Sequence, residues 1–148
     1  MTPEEWNNWL IDRRNLNPAG PGADSSQVRR LEQVAGAELP LDYANLLLGI
    51  GGLRGEHGED IIWSAAQAVE ENTTFRTEAA YRDLYMPFDS LLMIGENGGG
   101  DHFAFPITAS GRVEDLHVLR WNHENDSRSW EAGGLMAYLR KWSDGEIA

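Results

Sequence analysis

The stretch Leu91-Leu92-Met93-Ile94-Gly95-Glu96-Asn97-Gly98-Gly99-Gly100-Asp101-His102-Phe103-Ala104-Phe105-Pro106-Ile107 decides the fold class. Its first five residues are an apolar run of strand length. Glu96 to Asp101 contain three consecutive glycines, the composition of a turn. His102 to Ile107 then alternate with the two-residue period of a strand. Run, turn and alternation together predict an antiparallel hairpin. Ser110-Gly111 turns the chain again, and Leu116-His117-Val118-Leu119-Arg120-Trp121 reads as a third strand. The result is a meander.

Upstream of the meander the pattern is helical. Thr2-Pro3-Glu4-Glu5 is a capping box with proline at the first helical position, so an amphipathic helix is expected over 2–14. Asn17 to Gly22 read as a turn-rich linker too short to divide domains. Ser25 or Ser26 is expected to cap a second helix with Val28, Leu31 and Val34 or Ala35 on its apolar face. Gly36 ends it. Leu39-Pro40-Leu41-Asp42-Tyr43 opens a third helix, stopped by Gly51-Gly52. Residues 53–60 read as a polar, glycine-rich loop and Ile61-Ile62-Trp63 as a short strand. A capping box at Ser64 starts a helix to about Glu71, and Thr74 to Tyr85 is compatible with another. After a polar loop, Leu135 to Trp142 form a closing helix. Helices, then a meander, then one helix predict a single α+β domain over 1–148, an antiparallel sheet with helices packed mainly on one face.

Charge narrows the function. With 12 Arg and Lys against 24 Asp and Glu the net charge is −12, which repels phosphate backbones and anionic lipid surfaces. Six Trp, four Tyr and four Phe supply the apolar area that acidic disordered segments lack. There is no cysteine, so disulfides, thiol catalysis and cysteine metal sites are excluded, and a reducing compartment is favoured. The first residues lack the basic start and apolar run of a signal peptide, and a cytoplasmic location is expected. The sequons at Asn72 and Asn125 then read as chance matches.

No catalytic apparatus stands out. Glu96 to Asp101 lack the Lys-Ser/Thr and the following helix of a phosphate loop. Gly49, Gly51 and Gly52 end a helix, where a dinucleotide fingerprint would open one. His57, His102, His117 and His123 show no helical metal spacing. No Gly-x-Ser-x-Gly is present. The expectation is a non-enzymatic protein without cofactor or metal.

Three segments in order resemble the SUKH superfamily, which includes bacterial immunity proteins and fungal cell-wall-synthesis regulators. Leu39-Pro40-x-Asp42-Tyr43, Leu47 and Gly51-Gly52 are similar to its first signature. Ile94-Gly95, Gly99-Gly100-Asp101 and Phe103 resemble its glycine-rich hairpin. Val118 to Trp121 with His123-Glu124 resemble its last motif. The likeness spans about 25–142, with Ile50 where the family usually has Asn before the glycine pair. Leu39, Pro40, Tyr43, Gly51, Gly52, Gly95, Gly100, Trp121 and His123 read as determinants of the fold.

The resemblance implies an immunity protein that binds and neutralises a toxin domain, a basic nuclease in the leading case, without chemistry. Net negative charge suits such a partner, because opposite charges raise association rates. The expected contacts are the acidic loops: Glu56, Glu59, Asp60, Glu96, Asp101, Glu124 and Asp126, with Trp63 as an aromatic anchor. A regulatory interaction module of the cell-wall-regulator type and a small-ligand-binding domain are the other roles.

Overall fold

The computed structural model describes all residues, 1–148. The meander is there, with one strand more than expected. Strands β4 (Leu91–Glu96), β5 (His102–Pro106), β6 (Val118–Trp121) and β7 (Arg128–Ala132) form an antiparallel sheet in sequence order. A second antiparallel sheet, three-stranded, is built from β1 (Asn17–Pro18), β2 (Leu53–Arg54) and β3 (Asp60–Ile62). The fold is α+β.

Both small strands β1 and β2 fall in segments expected to be linker or loop. They are only two residues long, so no periodicity can mark them. Tertiary pairing makes them strands: Asn17 opposes Arg54 and Pro18 opposes Leu53. β7 was expected as loop for a related reason. It is an edge strand with Ser129 and Trp130 exposed, so its burial does not alternate.

Helix α1 (Pro3–Leu10) has the expected capping box at Thr2. It stops short of Arg14 because Leu10 is its last buried residue and Ile11 to Arg14 are exposed. Helix α2 (Ser25–Ala35) is capped one residue earlier than expected, by Asp24, whose carboxylate accepts from the Gln27 N–H at 3.0 Å. Helix α3 (Leu41–Gly49) starts after Pro40. Helix α4 (Ala65–Thr77) runs past Glu71, and extended Glu78 separates it from the short α5 (Ala79–Leu84). Helix α6 (Leu135–Ser143) closes the chain with Arg140 and Lys141 in its last turn, favoured there by the helix dipole. No helix is long and apolar enough to cross a membrane.

One continuous core runs from Trp6 to Ile147. Successive buried residues Phe103, Ala104 and Phe105 make both faces of β5 apolar, and each face is covered. On one face Phe103 meets Tyr138 of α6 at 5.1 Å between ring centroids, and Phe105 meets Tyr43 of α3 at 5.3 Å. On the other, His102 meets Phe75 of α4 at 5.0 Å.

The outer edge of β4 is closed by polar contacts. Asn72 of α4, fully buried, donates through Nδ2 to the Met93 carbonyl at 2.8 Å and accepts from the Met93 N–H at 2.9 Å. Its amide thus imitates a neighbouring strand. Burial also leaves this sequon no access to a glycan. Arg76 donates to the Leu91 carbonyl at 2.8 Å. At the far end of β4 the Trp63 N–H donates to the Ile94 carbonyl at 2.9 Å, tying the small sheet to the large one. Gly95 makes that junction possible: any Cβ there would collide with the Ile61 carbonyl oxygen.

Candidate functional site

Two turns hold the acidic segments beside one another. The β4–β5 turn sits between loop 54–60 and loop 122–127. On one side a Cβ on Gly98 would be 3.6 Å from Glu59 Cγ. Glu56, His57, Glu59, Asn97 and Gly98 line a cleft of about 520 Å³ together with Trp142 and Ile147. On the other side the His123 imidazole lies over Gly100, where a Cβ would come within 2.8 Å of it. Gly100 also has φ +108°, so glycine is required twice over.

The loops meet, but their carboxylates divide into two kinds. Asp101 is buried and fully engaged: it accepts from Arg120 Nε at 2.9 Å, His123 Nδ1 at 2.7 Å and the His123 N–H at 3.2 Å. Burial alone would raise its pKa, but the His123 and Arg120 bonds outweigh that and hold it below the usual carboxylate range. Asp126 accepts from the Met86 N–H at 2.9 Å, Trp121 Nε1 at 2.7 Å and Arg128 at 3.2 Å. Its pKa is depressed too, as these bonds overcome its burial. Neither carboxylate is free for a partner. Both belong to the fold, which corrects their expected role as contacts.

Trp63 is also reassigned. It is 0% exposed, so it cannot meet a partner at the surface. It packs instead under His102, at 5.6 Å between centroids. Among the fold determinants, Leu39, Pro40 and Tyr43 are buried at the start of α3. The Gly51 N–H donates to the Gly20 carbonyl at 2.8 Å, and Gly52 is buried against β3. Trp121 and His123 hold the two engaged aspartates. Ile50, in the position of the usual Asn, is buried and bridges to Pro21.

The second kind of carboxylate is not tied up by cations and backbone N–H groups in this way. Glu56 and Glu124 are exposed; Glu59 and Asp60 are half-buried. Glu59 Oε1 accepts from the His57 N–H at 2.7 Å, and Asp60 pairs with Arg54 at 3.3 Å. Glu96, at the end of β4, sits near Asp60 and near Glu71 of α4. Burial, then the charges of Asp60 and Glu71, push its pKa up. Glu71 is pushed up as well, by burial and then by Glu70 and Asp60. Glu71 went unrecognised in the sequence because only the packing of α4 against β4 brings it to the loops. Acidic residues such as Glu4, Glu38 and Asp83 also lie exposed elsewhere, so charge as such does not mark the site. Crowding does: Glu96 and Glu71 stand beside further carboxylates, and Arg54 pairs with Asp60 alone.

This arrangement suits binding. The Asp101–His123 pair orients an imidazole, yet no hydroxyl nucleophile is hydrogen-bonded to it. The half-exposed carboxylates instead present a surface for a cationic partner.

A family model described as SUKH_6, SMI1-KNR4 cell-wall, matches residues 25–139. The chain belongs to the SUKH superfamily. The match begins at α2 and ends within α6, so it takes in both engaged aspartates and the crowded carboxylates. Among curated proteins no relative matches.

Proposed function

We propose that this SUKH protein binds and neutralises a basic bacterial toxin domain, a nuclease in the leading case, in the cytoplasm and without chemistry of its own. The observation that carries the reading is the convergence of Glu56, Glu59, Asp60 and Glu96, from one loop and the ends of two strands, along one edge of the β4–β5 turn. Family membership supports a protein-binding role. The negative edge supports a cationic partner, whose nucleic-acid cleft would be the matching surface.

The test is co-purification with the toxin domain encoded beside this gene, followed by titration at rising salt. Tight binding that weakens with salt, together with protection of cells expressing the toxin, is expected. Glu56→Gln with Glu59→Gln should slow association at low salt. A toxin domain that neither binds nor is blocked overturns the reading. The cell-wall description of the family model favours a second reading, a regulatory module for an endogenous protein. Recovery of such a protein in place of any toxin would select it.

A further inference from the structure

The last turn of α4, helix α5 and the segment after it line a cavity of about 320 Å³. It shares no lining residue with the acidic cleft. Its walls are the rings of Phe75, Tyr81 and Phe88, with centroids 4.7 to 6.0 Å apart. Met86 adds a thioether to them. The Met86-Pro87 segment is pinned from outside the cavity. The Met86 N–H donates to Asp126 at 2.9 Å, and Arg128 donates to the Met86 and Pro87 carbonyls at 2.7 and 2.8 Å. The cavity is therefore preformed, and a ligand would not have to order its wall.

Arg76 and Arg82 put two cations on the same lining. The chain has twice as many acidic as basic residues, yet the arginines paired with carboxylates are Arg54, Arg120 and Arg128. Arg76 is half-buried and donates only to neutral oxygens. Nη1 reaches the Asn72 carbonyl at 3.4 Å and Asn72 Oδ1 at 3.2 Å, and Nη2 reaches the Leu91 carbonyl at 2.8 Å. Of its five N–H groups, Nε and one on Nη2 bond to nothing in the protein. Two free donors on one planar group match the two oxygens of a carboxylate. Asp89, the one carboxylate on the lining, is exposed and pairs with neither arginine. Two guanidinium charges less that of Asp89 leave one positive charge to neutralise.

We propose that this cavity binds a small aromatic monocarboxylate, its acid group on Arg76 and Arg82 and its ring among Phe75, Tyr81 and Phe88. The site stands apart from the toxin-binding reading and does not depend on it. The volume is at the small end of ligand cavities, which limits the body to about one ring system. A ring entering there meets other rings at their edges and faces, the arrangements aromatic pairs prefer. The carboxylate gives Arg76 the counter-ion that the fold withholds, at a guanidinium partly withdrawn from water, where such a bond is stronger than in bulk solvent. An amine in place of the acid would face two guanidinium groups and be repelled.

The probes are phenylacetate, its neutral isostere phenylacetamide, and acetate, titrated into the full chain at low salt and followed in ¹H–¹⁵N spectra. Phenylacetate should shift the Arg76 Nε–H signal and the amides of α5 and saturate at about millimolar concentration. Phenylacetamide lacks the charge and acetate lacks the ring, so each should bind about tenfold more weakly or worse. Arg82→Gln changes an exposed side chain and should weaken phenylacetate about threefold. Asp89→Asn removes the competing charge and should strengthen it about twofold. Arg76→Lys keeps the charge and loses the paired donors, so binding should fall about tenfold. Arg76 also bonds the Leu91 carbonyl, so melting of that variant is measured alongside; if it melts early, Arg82→Gln and Asp89→Asn decide. Binding of phenylacetamide or of acetate equal to that of phenylacetate would overturn the proposal. So would the absence of a saturable shift, or a phenylacetate affinity unchanged in both Arg82→Gln and Asp89→Asn.

Discussion

Asp101 and Glu96 flank the same glycine turn, and their surroundings are opposite. Asp101 collects Arg120 and His123 and has its pKa held down. Glu96 collects Asp60, Glu71 and the His102 ring and has its pKa pushed up. Net charge counts the two residues alike. The fold does not: Asp101 contributes stability as an ion, whereas Glu96 costs stability as one. A carboxylate that the fold tolerates at a cost is the better candidate for work outside the fold.

The sharpest break between the two is stability. Asp101→Ala strips His123 and Arg120 of a shared acceptor in a nearly buried setting. Arg120 keeps Glu131 at 3.2 Å, so the expected loss is about 2 kcal/mol, the scale of charge-assisted hydrogen bonds removed. Urea unfolding at neutral pH measures it. A loss below that of an ordinary surface substitution would mean the engaged aspartates are not structural.

The hairpin, the apolar strands β4 to β6 and the helix starts at Thr2 and Ser64 were legible in the sequence, because periodicity and capping act locally. What stayed hidden depends on contacts remote in the chain. Asn72 looked like a chance sequon until α4 laid it along β4. Glu71 looked like one more helix carboxylate. Trp63 looked like an anchor because a sequence cannot say which side of a short strand end is covered. Asp101 and Asp126 were drawn correctly into the loops and assigned the wrong work, since their partners come from β6, β7 and the 85–87 turn.

The second contrast is pH. His102 has its pKa lowered to about 4 from 6.5. Between those values the unfolded chain binds a proton that the folded chain refuses, so stability falls as pH falls from 6.5 to 4, by about 3 kcal/mol in all. Asp101 and Asp126, with depressed pKa values, add a further loss as pH drops through their folded-state range. Glu71 and Glu96 act the other way. Their raised pKa values mean that acidification relieves repulsion first in the folded state. Urea midpoints from pH 7 to 4 should therefore fall more gently in wild type than in the Glu71→Gln/Glu96→Gln double variant. Parallel curves would show that the crowding carries no energetic cost.

At neutral pH the same crowding gives a smaller effect with the opposite sign to Asp101→Ala. Glu96→Gln should stabilise the protein by about 0.5 kcal/mol, a modest figure because the group is part-exposed and screened. Thermal melting at low and high salt measures it, and the gain should shrink as salt rises.

Glu124 offers the smallest effect and the cleanest control. It is exposed, and although its own N–H donates to Asn122 Oδ1 at 2.9 Å, its carboxylate accepts no hydrogen bond. Glu124→Gln should leave stability within about 0.5 kcal/mol of wild type. Its charge still acts at a distance, so association with a basic toxin domain should slow slightly at low salt and recover at 0.15 M, with dissociation unchanged. A change in dissociation would place Glu124 inside the contact. The interface would then extend across the β4–β5 turn to loop 122–127, and the division between structural and binding carboxylates would run within that loop, between Glu124 and Asp126.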